Sequence, residues 1–240
     1  MKKYIVKYLL EFIVIVTGIS ISFYVEKQNA IKYKEELKVE SLKKLKNNLY
    51  KELDGPHFDY GVHTMAKEFS DILYLRGLDL YKKDKDSLGF YLSFLKDAGT
   101  VFVENDEEYS ALINSGLIEL IENRELVSLL QEKYSDQTWY KKNNDLLLEM
   151  YLRDESFNQF FESINRRKHK NIIGYWTSYK ANMRYLNDKE INKVSQSGLA
   201  HSLYASLMNR AIKQDSLIIK EIEKELRDWL KRMCQWFSHY

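Results

Sequence analysis

The chain contains little proline, glycine or cysteine, and each shortage argues against a class of protein. One proline and nine glycines in 240 residues disfavour a turn-rich β-sandwich, a collagen-like chain and a proline-rich disordered chain. The single cysteine, Cys234, excludes an intrachain disulfide framework and any zinc or iron–sulfur site built from several cysteines. A mostly helical protein remains.

A large excess of one charge is also lacking. The 37 basic and 35 acidic residues leave a formal net charge of +2, so the electrostatics of a nucleic-acid-binding protein are not indicated. The chain does contain 45% hydrophobic residues, which is enough to build a core. Its length suits one large domain or two small ones, and one fold is the preferred interpretation.

The longest apolar run lies near the N-terminus and predicts a membrane span. Residues 9–25 read LLEFIVIVTGISISFYV, with Glu11 as their one charge. As a helix they would extend about 26 Å, close to the thickness of the hydrocarbon core of a lipid bilayer. A cleavable signal peptide is the alternative, but its apolar stretch is usually shorter and no small-residue cleavage site follows here. We therefore expect an uncleaved transmembrane anchor over residues 1–25.

Lysines flank this span on both sides in nearly equal number, so their count alone does not determine its orientation. Lys2, Lys3 and Lys7 precede it, and four further lysines follow within the next turns. Because a short N-terminal tail is readily kept inside as a signal anchor, we predict a cytoplasmic N-terminus. This places the protein in the bacterial inner membrane as a single-pass protein with a periplasmic helical domain.

Three residues of the span are predicted to contact another transmembrane helix. Glu11 is ionisable, which is costly inside a membrane and often functional. Near the edge of the apolar layer it could instead reach the headgroups or pair with Lys7, one turn earlier. Gly18 and Ser22 lie on the same helix face as Glu11 and permit close helix packing. The expected partners are the lipid bilayer and a second helix, from another copy or another membrane protein.

Beyond the span, the pattern predicts a rod and then a bundle. Residues 26–54 have no proline or glycine and carry a leucine stripe from Leu42 to Leu53. Nothing interrupts the helix at Val25, so the anchor should continue into a membrane-proximal rod that ends at Asp54-Gly55-Pro56. An antiparallel helical bundle is predicted over residues 58–240. The predicted fold class is therefore all-α.

Helix start and stop signals divide the first half of the bundle. Helices are predicted over residues 58–83 and in the first part of residues 88–103, followed by a loop. Asn105 and Glu108 are spaced as a capping box for a helix beginning near Asp106. Gly116 predicts the left-handed end of that helix, a short helix follows, and Asn123 should cap a long helix that reaches about residue 151.

The second half is predicted to be helical as well. Helices are expected over residues 155–164 and 172–185, a further helix should begin after Asn187, and Ser197-Gly198 predicts a break. From residue 199 the chain should be helical nearly to its end. Apolar residues spaced alternately by three and four form a heptad seam in this last helix, either within the domain or between protomers of a coiled coil. Its members are Ile219, Ile222, Leu226, Trp229, Met233 and Trp236.

Two stretches, residues 8–29 and 108–134, resemble a family of small Bacteroidota membrane proteins known only as a domain of unknown function. The matching positions are Glu11, Gly18, Tyr109, Leu112, Ser115, Gly116, Ile121 and Leu126. The resemblance implies an N-terminal anchor followed by a helical body. A longer basic segment usually precedes the family's anchor, and here it is reduced to MKKYIVK. The family brings no known activity.

Signatures of catalysis and metal binding are absent from the sequence. It contains no G-x-S-x-G, P-loop, H-E-x-x-H or G-x-G-x-x-G motif, and the spacing of His57 and His63 suits no common zinc motif. The acidic run at residues 104–108 could attract calcium, but acidic residues are also typical of helix N-termini. We predict a protein without cofactor or metal that is not an enzyme.

One basic cluster stands beside aromatic residues. Arg166, Arg167, Lys168 and Lys170 precede Tyr175 and Trp176, a combination that can grip phosphorylated headgroups or anionic glycans. A solvated connection between two helices explains the same charges without a ligand. We therefore regard these four residues as a candidate anion contact.

Two functions are compatible with this sequence. The first is a membrane-anchored accessory or scaffold subunit that docks onto, or oligomerises within, a bacterial envelope complex through protein–protein interaction. The alternative is a small oligomeric channel, with Glu11, Thr17 and Ser20 in its pore, or a ligand-responsive sensor that signals through its transmembrane helix. An enzyme without a recognisable motif would need a concave site that sequence cannot reveal.

Overall fold

A computed structural model describes residues 2–100, 103, 105–147, 149, 161–168, 175–181 and 188–238 of the chain. Six α-helices account for most of these residues, and the fold is all-α apart from one small hairpin, as predicted. The helices are α1 (Lys2–Glu52), α2 (Asp54–Lys83), α3 (Lys85–Asp97), α4 (Glu107–Asn114), α5 (Arg124–Leu147) and α6 (Asp188–Ser238). A short 3₁₀ helix (Leu117–Leu120) lies between α4 and α5.

Helix α1 confirms that the apolar span and the polar rod are continuous. It runs for 51 residues without interruption, and the part of the chain around residues 9–25 is long and apolar enough to cross a membrane. The apolar side chains of that segment, from Tyr8 to Val25, are exposed. Farther along the same helix Val39, Leu42 and Leu45 are buried. One helix thus provides both the exposed apolar segment and part of a protein core.

The end of α1 differs from the prediction. The helix ends at Glu52, and α2 already begins at Asp54, so Gly55 lies in the first turn of α2 and does not terminate α1. Pro56 gives the physical reason, because it has no N–H to donate to the carbonyl of Glu52 and its ring crowds that carbonyl. His57 again donates normally, to the carbonyl of Leu53 at 3.2 Å. The helical pattern is interrupted for one residue only.

The predicted end of α4 at Gly116 and the predicted cap of α5 at Asn123 are confirmed. Gly116 has a φ of +70° and is the one residue in the described ranges with a positive φ. Its N–H donates to the carbonyl of Ile113 at 3.0 Å, which closes the end of α4. The side chain of Asn123 accepts from the N–H of Leu126 at 3.3 Å and so caps α5. Helix α4 begins at Glu107, one residue beyond the predicted start.

The predicted helices over residues 155–164 and 172–185 are wrong where the structure describes them. Strands β1 (Phe161–Lys168) and β2 (Tyr175–Ala181) pair there as an antiparallel hairpin, with Ile164 opposite Tyr179 and Arg167 opposite Trp176. Aromatic and β-branched residues dominate β2, and these residues favour strands over helices. The remainder of the two predicted helices lies outside the described residues.

The predicted break at Ser197-Gly198 is also wrong. Helix α6 continues through both residues. A Cβ atom at Gly198 would lie 2.8 Å from the Cβ of Ser70 on α2, which is closer than real Cβ contacts allow. The glycine therefore permits the close approach of two helices and does not end one.

Two compact units, interleaved along the chain, make up the fold. The first comprises Met1–Asn47, Glu107–Val127 and Glu221–Tyr240, and the second comprises Asn48–Asp106 and Ser128–Lys220. In the second unit, buried residues of α2 and α3 such as Leu73, Leu92 and Phe94 form one hydrophobic cluster. Tyr140 of α5 packs with Tyr204 and Met208 of α6 in another.

The core of the first unit contains a buried lysine. Lys38 of α1 is 0% exposed, and its ammonium contacts the carbonyl of Leu120 at 3.0 Å and the carboxylates of Glu35 at 2.7 Å and Glu225 at 3.3 Å. Glu225 of α6 also accepts the backbone N–H of Asn123 at 3.0 Å. One buried ion pair therefore ties α1 and α6 to the loop that precedes α5.

Candidate functional site

In the second unit, polar residues occupy buried helix faces that are otherwise apolar. Asp59 and His63 lie one turn apart on α2, on the same buried stripe as Val62. His201 and Tyr204 lie three residues apart on α6 and are buried as well. Because residues three or four positions apart share a helix face, both helices direct these groups into the same interior.

His63 and His201 make direct contact there. Nδ1 of His63 lies 2.8 Å from Nδ1 of His201, and Nε2 of His63 lies 3.0 Å from Oγ1 of Thr100. The ring of Tyr204 packs on His63 with centroids 4.4 Å apart. Both histidines are 0% exposed, so the pair is sealed from water.

Burial determines how these groups titrate. It lowers the pKa of His63 to about 3, with the charge of His201 adding to the shift, and it lowers the pKa of His201 to about 4. Burial raises the pKa of Asp59 to about 6, and interactions with the hydroxyls of Thr100 and Tyr204 oppose part of that rise. At neutral pH both histidines are therefore neutral, and Asp59 is the member of the cluster that titrates closest to that pH.

The ionised carboxylate of Asp59 fixes the direction of the hydrogen bonds. A Thr100 hydroxyl that donates to this carboxylate would accept from Nε2–H of His63, and Nδ1 of His63 would then accept from Nδ1–H of His201. Nε2 of His201 then carries no hydrogen, and this buried atom has no hydrogen-bond partner. The Tyr204 hydroxyl faces Asp59 without a hydrogen bond of standard geometry.

Asp59 also borders a cavity of about 260 Å³. The walls come from the last turn of α1, the first turns of α2, residues 103 and 105, and facing positions on α5 and α6. Ligand pockets for drug-sized molecules are usually about 300–1,000 Å³. This cavity therefore suits a molecule of a few non-hydrogen atoms.

A buried ion pair forms one side of the cavity. Nζ of Lys133 lies 2.6 Å from a carboxylate oxygen of Asp215 and 3.9 Å from one of Glu52. Asn105 donates to the other oxygen of Glu52 at 2.8 Å. Burial raises the pKa of Glu52 and of Asp215, and the charge of Lys133 opposes both shifts. The one ammonium is thus shared between two carboxylates.

Two glutamines in the cavity wall are incompletely bonded. Gln137 of α5 and Gln214 of α6 line the cavity and are 4% and 6% exposed. The amide oxygen of each is buried without a hydrogen-bond partner. A buried acceptor without a partner costs about 1–3 kcal/mol. The terminal torsion of a glutamine is soft, so each oxygen can turn toward a donor placed in the cavity.

The residues of this site supply hydrogen-bonding and charged groups. The groups on its walls are carboxylates, amides, a tyrosine and lysines, and no hydroxyl or thiol nucleophile lies beside a basic histidine there. Within the described residues, no three His, Cys, Asp or Glu side chains are grouped to hold a metal ion. The carboxylates and amide oxygens of the arrangement can accept hydrogen bonds.

The predicted contacts of the anchor lie on the exposed segment of α1. Gly18 and Ser22 border the same shallow groove along that helix, which confirms that they share a face. The side chain of Glu11 lies 3.9 Å from Nζ of Lys7, as an i, i+4 ion pair. The pairing considered for Glu11 at the membrane edge is thus present, and contact with a partner helix stays a prediction.

The predicted seam of α6 is buried at its beginning. Ile219 and Ile222 are buried, whereas Leu226, Trp229 and Met233 are half-buried. Trp236 lies in α6, but its side chain is outside the described residues. The first turns of the seam therefore pack within the protein, and pairing between protomers stays a prediction.

The predicted anion contact lies in the hairpin. Arg166, Arg167 and Lys168 end β1, where their backbones pair with Thr177, Trp176 and Tyr175 of β2. Lys170 lies outside the described residues. These three basic residues are therefore strand residues, of which Arg167 and Lys168 lie opposite aromatic ones, and they are not part of a connection between helices.

The sequence interpretation missed the site in the second unit. Three signals could have revealed it, namely Asp59, His63 and His201 at apolar-periodic positions of helices, since polar residues on a buried face usually have partners. No protein-family model, no curated protein and no solved structure matches the chain.

Proposed function

We propose that this protein is a membrane-anchored, non-enzymatic accessory subunit that docks onto a bacterial envelope complex or oligomerises within one. The observation that carries the proposal is the double role of α1. Its first part is an apolar segment with exposed side chains, and its later residues Val39, Leu42 and Leu45 are buried in the first unit. A helix built in this way holds a folded body at a membrane surface.

The exposed segment also suggests a partner within the membrane. Gly18 and Ser22 leave a shallow groove on one face of the span, and small residues at such spacing let two helices approach closely. A cytoplasmic N-terminus and a periplasmic body in the inner membrane are part of the proposal, based on the short lysine-bearing tail. The resemblance to small anchored Bacteroidota proteins supports the same architecture.

Orientation and docking are tested separately. Protease added to intact spheroplasts should degrade the body, whereas protection until lysis would overturn the periplasmic orientation. For docking, the full-length protein carries a C-terminal tag and is captured from gently solubilised native membranes. Gly18→Leu should reduce the recovered partner, or the second copy, because the larger side chain fills the groove.

The matched control is Val16→Leu. Position 16 lies about 200° around the helix from position 18, so an added methylene there should leave recovery unchanged. Equal recovery with both variants and with the wild type would show that the anchor is only a tether.

A ligand-responsive sensor is the second candidate, and one observation favours it. Lys51 and Glu52, in the last turn of α1, line the cavity of the second unit. A molecule bound in the cavity would therefore touch the helix that carries the predicted span. Crosslinking between anchors, for example through a cysteine at position 18, should change when the cavity is filled if the protein is a sensor.

A further inference from the structure

We propose that the cavity of the second unit is a binding site for a small organic ammonium ion, held by Asp59 and by the amide oxygens of Gln137 and Gln214. The cavity holds about 260 Å³ and is formed by α1, α2, α5 and α6 together with residues 103 and 105. This inference does not rest on the docking role proposed above.

The charges on the wall favour a cation. Glu52, Asp59 and Asp215 contribute three carboxylates against two ammonium groups, of which Lys133 is already bound by Asp215 and Glu52 and Lys51 is exposed to solvent. Asp59 is 7% exposed, and among the described residues no lysine, arginine or histidine forms an ion pair with it. A buried carboxylate without a counter-ion is costly, and a bound cation would remove that cost.

The unpartnered atoms favour a cation that carries N–H groups. Both glutamine oxygens are acceptors without donors, and a carboxylate also only accepts. A primary ammonium has a positive charge and three donors, which matches one carboxylate and two amide oxygens. A quaternary ammonium would neutralise the carboxylate but would leave the two amide oxygens without hydrogen-bond donors.

The surroundings argue against the other ligand classes. An anion would meet three carboxylates, and a divalent metal would need a denser set of ligands than the described residues provide. A macromolecular segment would not fit in the volume. A small alkylammonium group with a short apolar end is the remaining class, since Val103, Pro56 and Ala211 supply apolar wall.

The test uses full-length protein in detergent micelles and isothermal titration with propylammonium chloride. 1-Propanol has the same size without the charge, and tetramethylammonium chloride has the charge without N–H donors. We expect the wild type to bind propylammonium and to bind the other two compounds at least about tenfold more weakly. 1-Propanol lacks the positive charge that pairs with Asp59, and tetramethylammonium lacks the N–H donors for the amide oxygens.

Two variants address the proposed contacts. Asp59→Asn keeps the shape and removes the charge, and should weaken propylammonium binding about 30-fold or more. Gln214→Met removes an acceptor at similar volume and should weaken it about tenfold. Asp71→Asn is the control, because Asp71 lies exposed on the same helix and pairs with Lys67, and it should change binding less than about twofold.

Several outcomes would overturn the inference. These are the absence of propylammonium binding in the millimolar range, equal affinity for 1-propanol or tetramethylammonium, and undiminished binding by both Asp59→Asn and Gln214→Met. If Asp59→Asn does not fold, the Gln214→Met variant and the ligand series decide alone. None of these outcomes bears on partner recovery through Gly18, so the two proposals fail separately.

Discussion

A buried ammonium is tolerated only where both its charge and its hydrogens are matched, and Lys38 meets both conditions. Its three hydrogens point to the Leu120 carbonyl and to the carboxylates of Glu35 and Glu225. Glu225 is 3% exposed and depends on Lys38 and on backbone N–H groups for its own stabilisation. Removing either partner would leave the other charge buried and unpaired.

Lys38→Met should therefore destabilise the protein far more than an exposed ion pair would suggest. We expect a loss of about 3–5 kcal/mol in the free energy of unfolding, the usual cost of breaking a buried pair. Lys44→Met is the control, since Lys44 pairs with Glu40 at the surface and should cost less than about 1 kcal/mol. Denaturant unfolding measures both, and equal losses would show that Lys38 contributes nothing beyond a surface lysine.

The histidine pair predicts a loss of stability in acid. The pKa of His63 is lowered to about 3 and that of His201 to about 4, so the unfolded chain takes up these protons first, below pH about 6.5. Asp59 acts in the opposite sense, because its pKa is raised to about 6 and the folded state holds that proton more tightly. Near pH 5 the unfolded chain binds about two more histidine protons than the folded state, and the folded state binds about one more proton on Asp59. The unfolded state therefore binds about one proton more in total.

The titration of His63, His201 and Asp59 should therefore raise the free energy of unfolding by about 1.4 kcal/mol per pH unit around pH 5. The dependence should fade only above about pH 7.5, roughly one pH unit above the histidine pKa of the unfolded chain, because there His63, His201 and Asp59 are deprotonated in both states. His201→Gln removes one of the two histidines and should reduce the slope relative to the wild type by that amount. An unchanged slope in unfolding curves between pH 4.5 and 6 would contradict the assignment.

At the scale of elements, glycine has three different roles in this chain. Gly116 ends α4 with a positive φ, Gly198 permits close approach of α6 to Ser70, and Gly61 lies exposed within α2 with open space around it. The same residue type therefore predicts different effects of an added methyl group at each position.

Gly116→Ala should cost about 1 kcal/mol, because the left-handed backbone is strained for a residue with a Cβ atom. A Cβ at this position meets nothing within 4 Å, so the cost comes from the backbone alone, and Gly116→Val should cost more. Gly61→Ala is the control and should stabilise the protein by up to about 1 kcal/mol through helix propensity. An unchanged unfolding temperature in both Gly116 variants would show that the left-handed backbone at this position does not require glycine.

Elements whose signals are local were predictable from the sequence, and contacts between distant residues were not. Gly116 and Asn123 carry the chemistry of a helix end within a few residues, and the structure confirms both. The contact between His63 and His201 joins positions 138 residues apart, which no local pattern encodes. The strand β2 was missed because its helical and extended patterns are ambiguous over a few residues, and strand pairing with β1 decides between them.

At the scale of the whole molecule, the chain combines an exposed apolar helix segment with a body that has its own cores. Residues before Glu26 contribute no buried side chain among those described. The clusters around Leu73 and Phe94 and around Tyr140 and Tyr204 belong to the later parts of the chain. The anchor is therefore expected to determine location while the body determines stability.

A variant that starts at Glu26 tests this division. It should move from the membrane fraction to the soluble fraction, because the apolar segment is removed, and it should unfold within about 0.5 kcal/mol of the full-length protein in matched detergent, since no buried contact is lost. A second variant that starts at Val39 is the comparison, because it also removes Lys38 and leaves Glu225 without its ammonium. That variant should be less stable by several kcal/mol. Loss of stability already in the variant starting at Glu26 would show that the apolar segment belongs to the folded core and does not serve as an anchor.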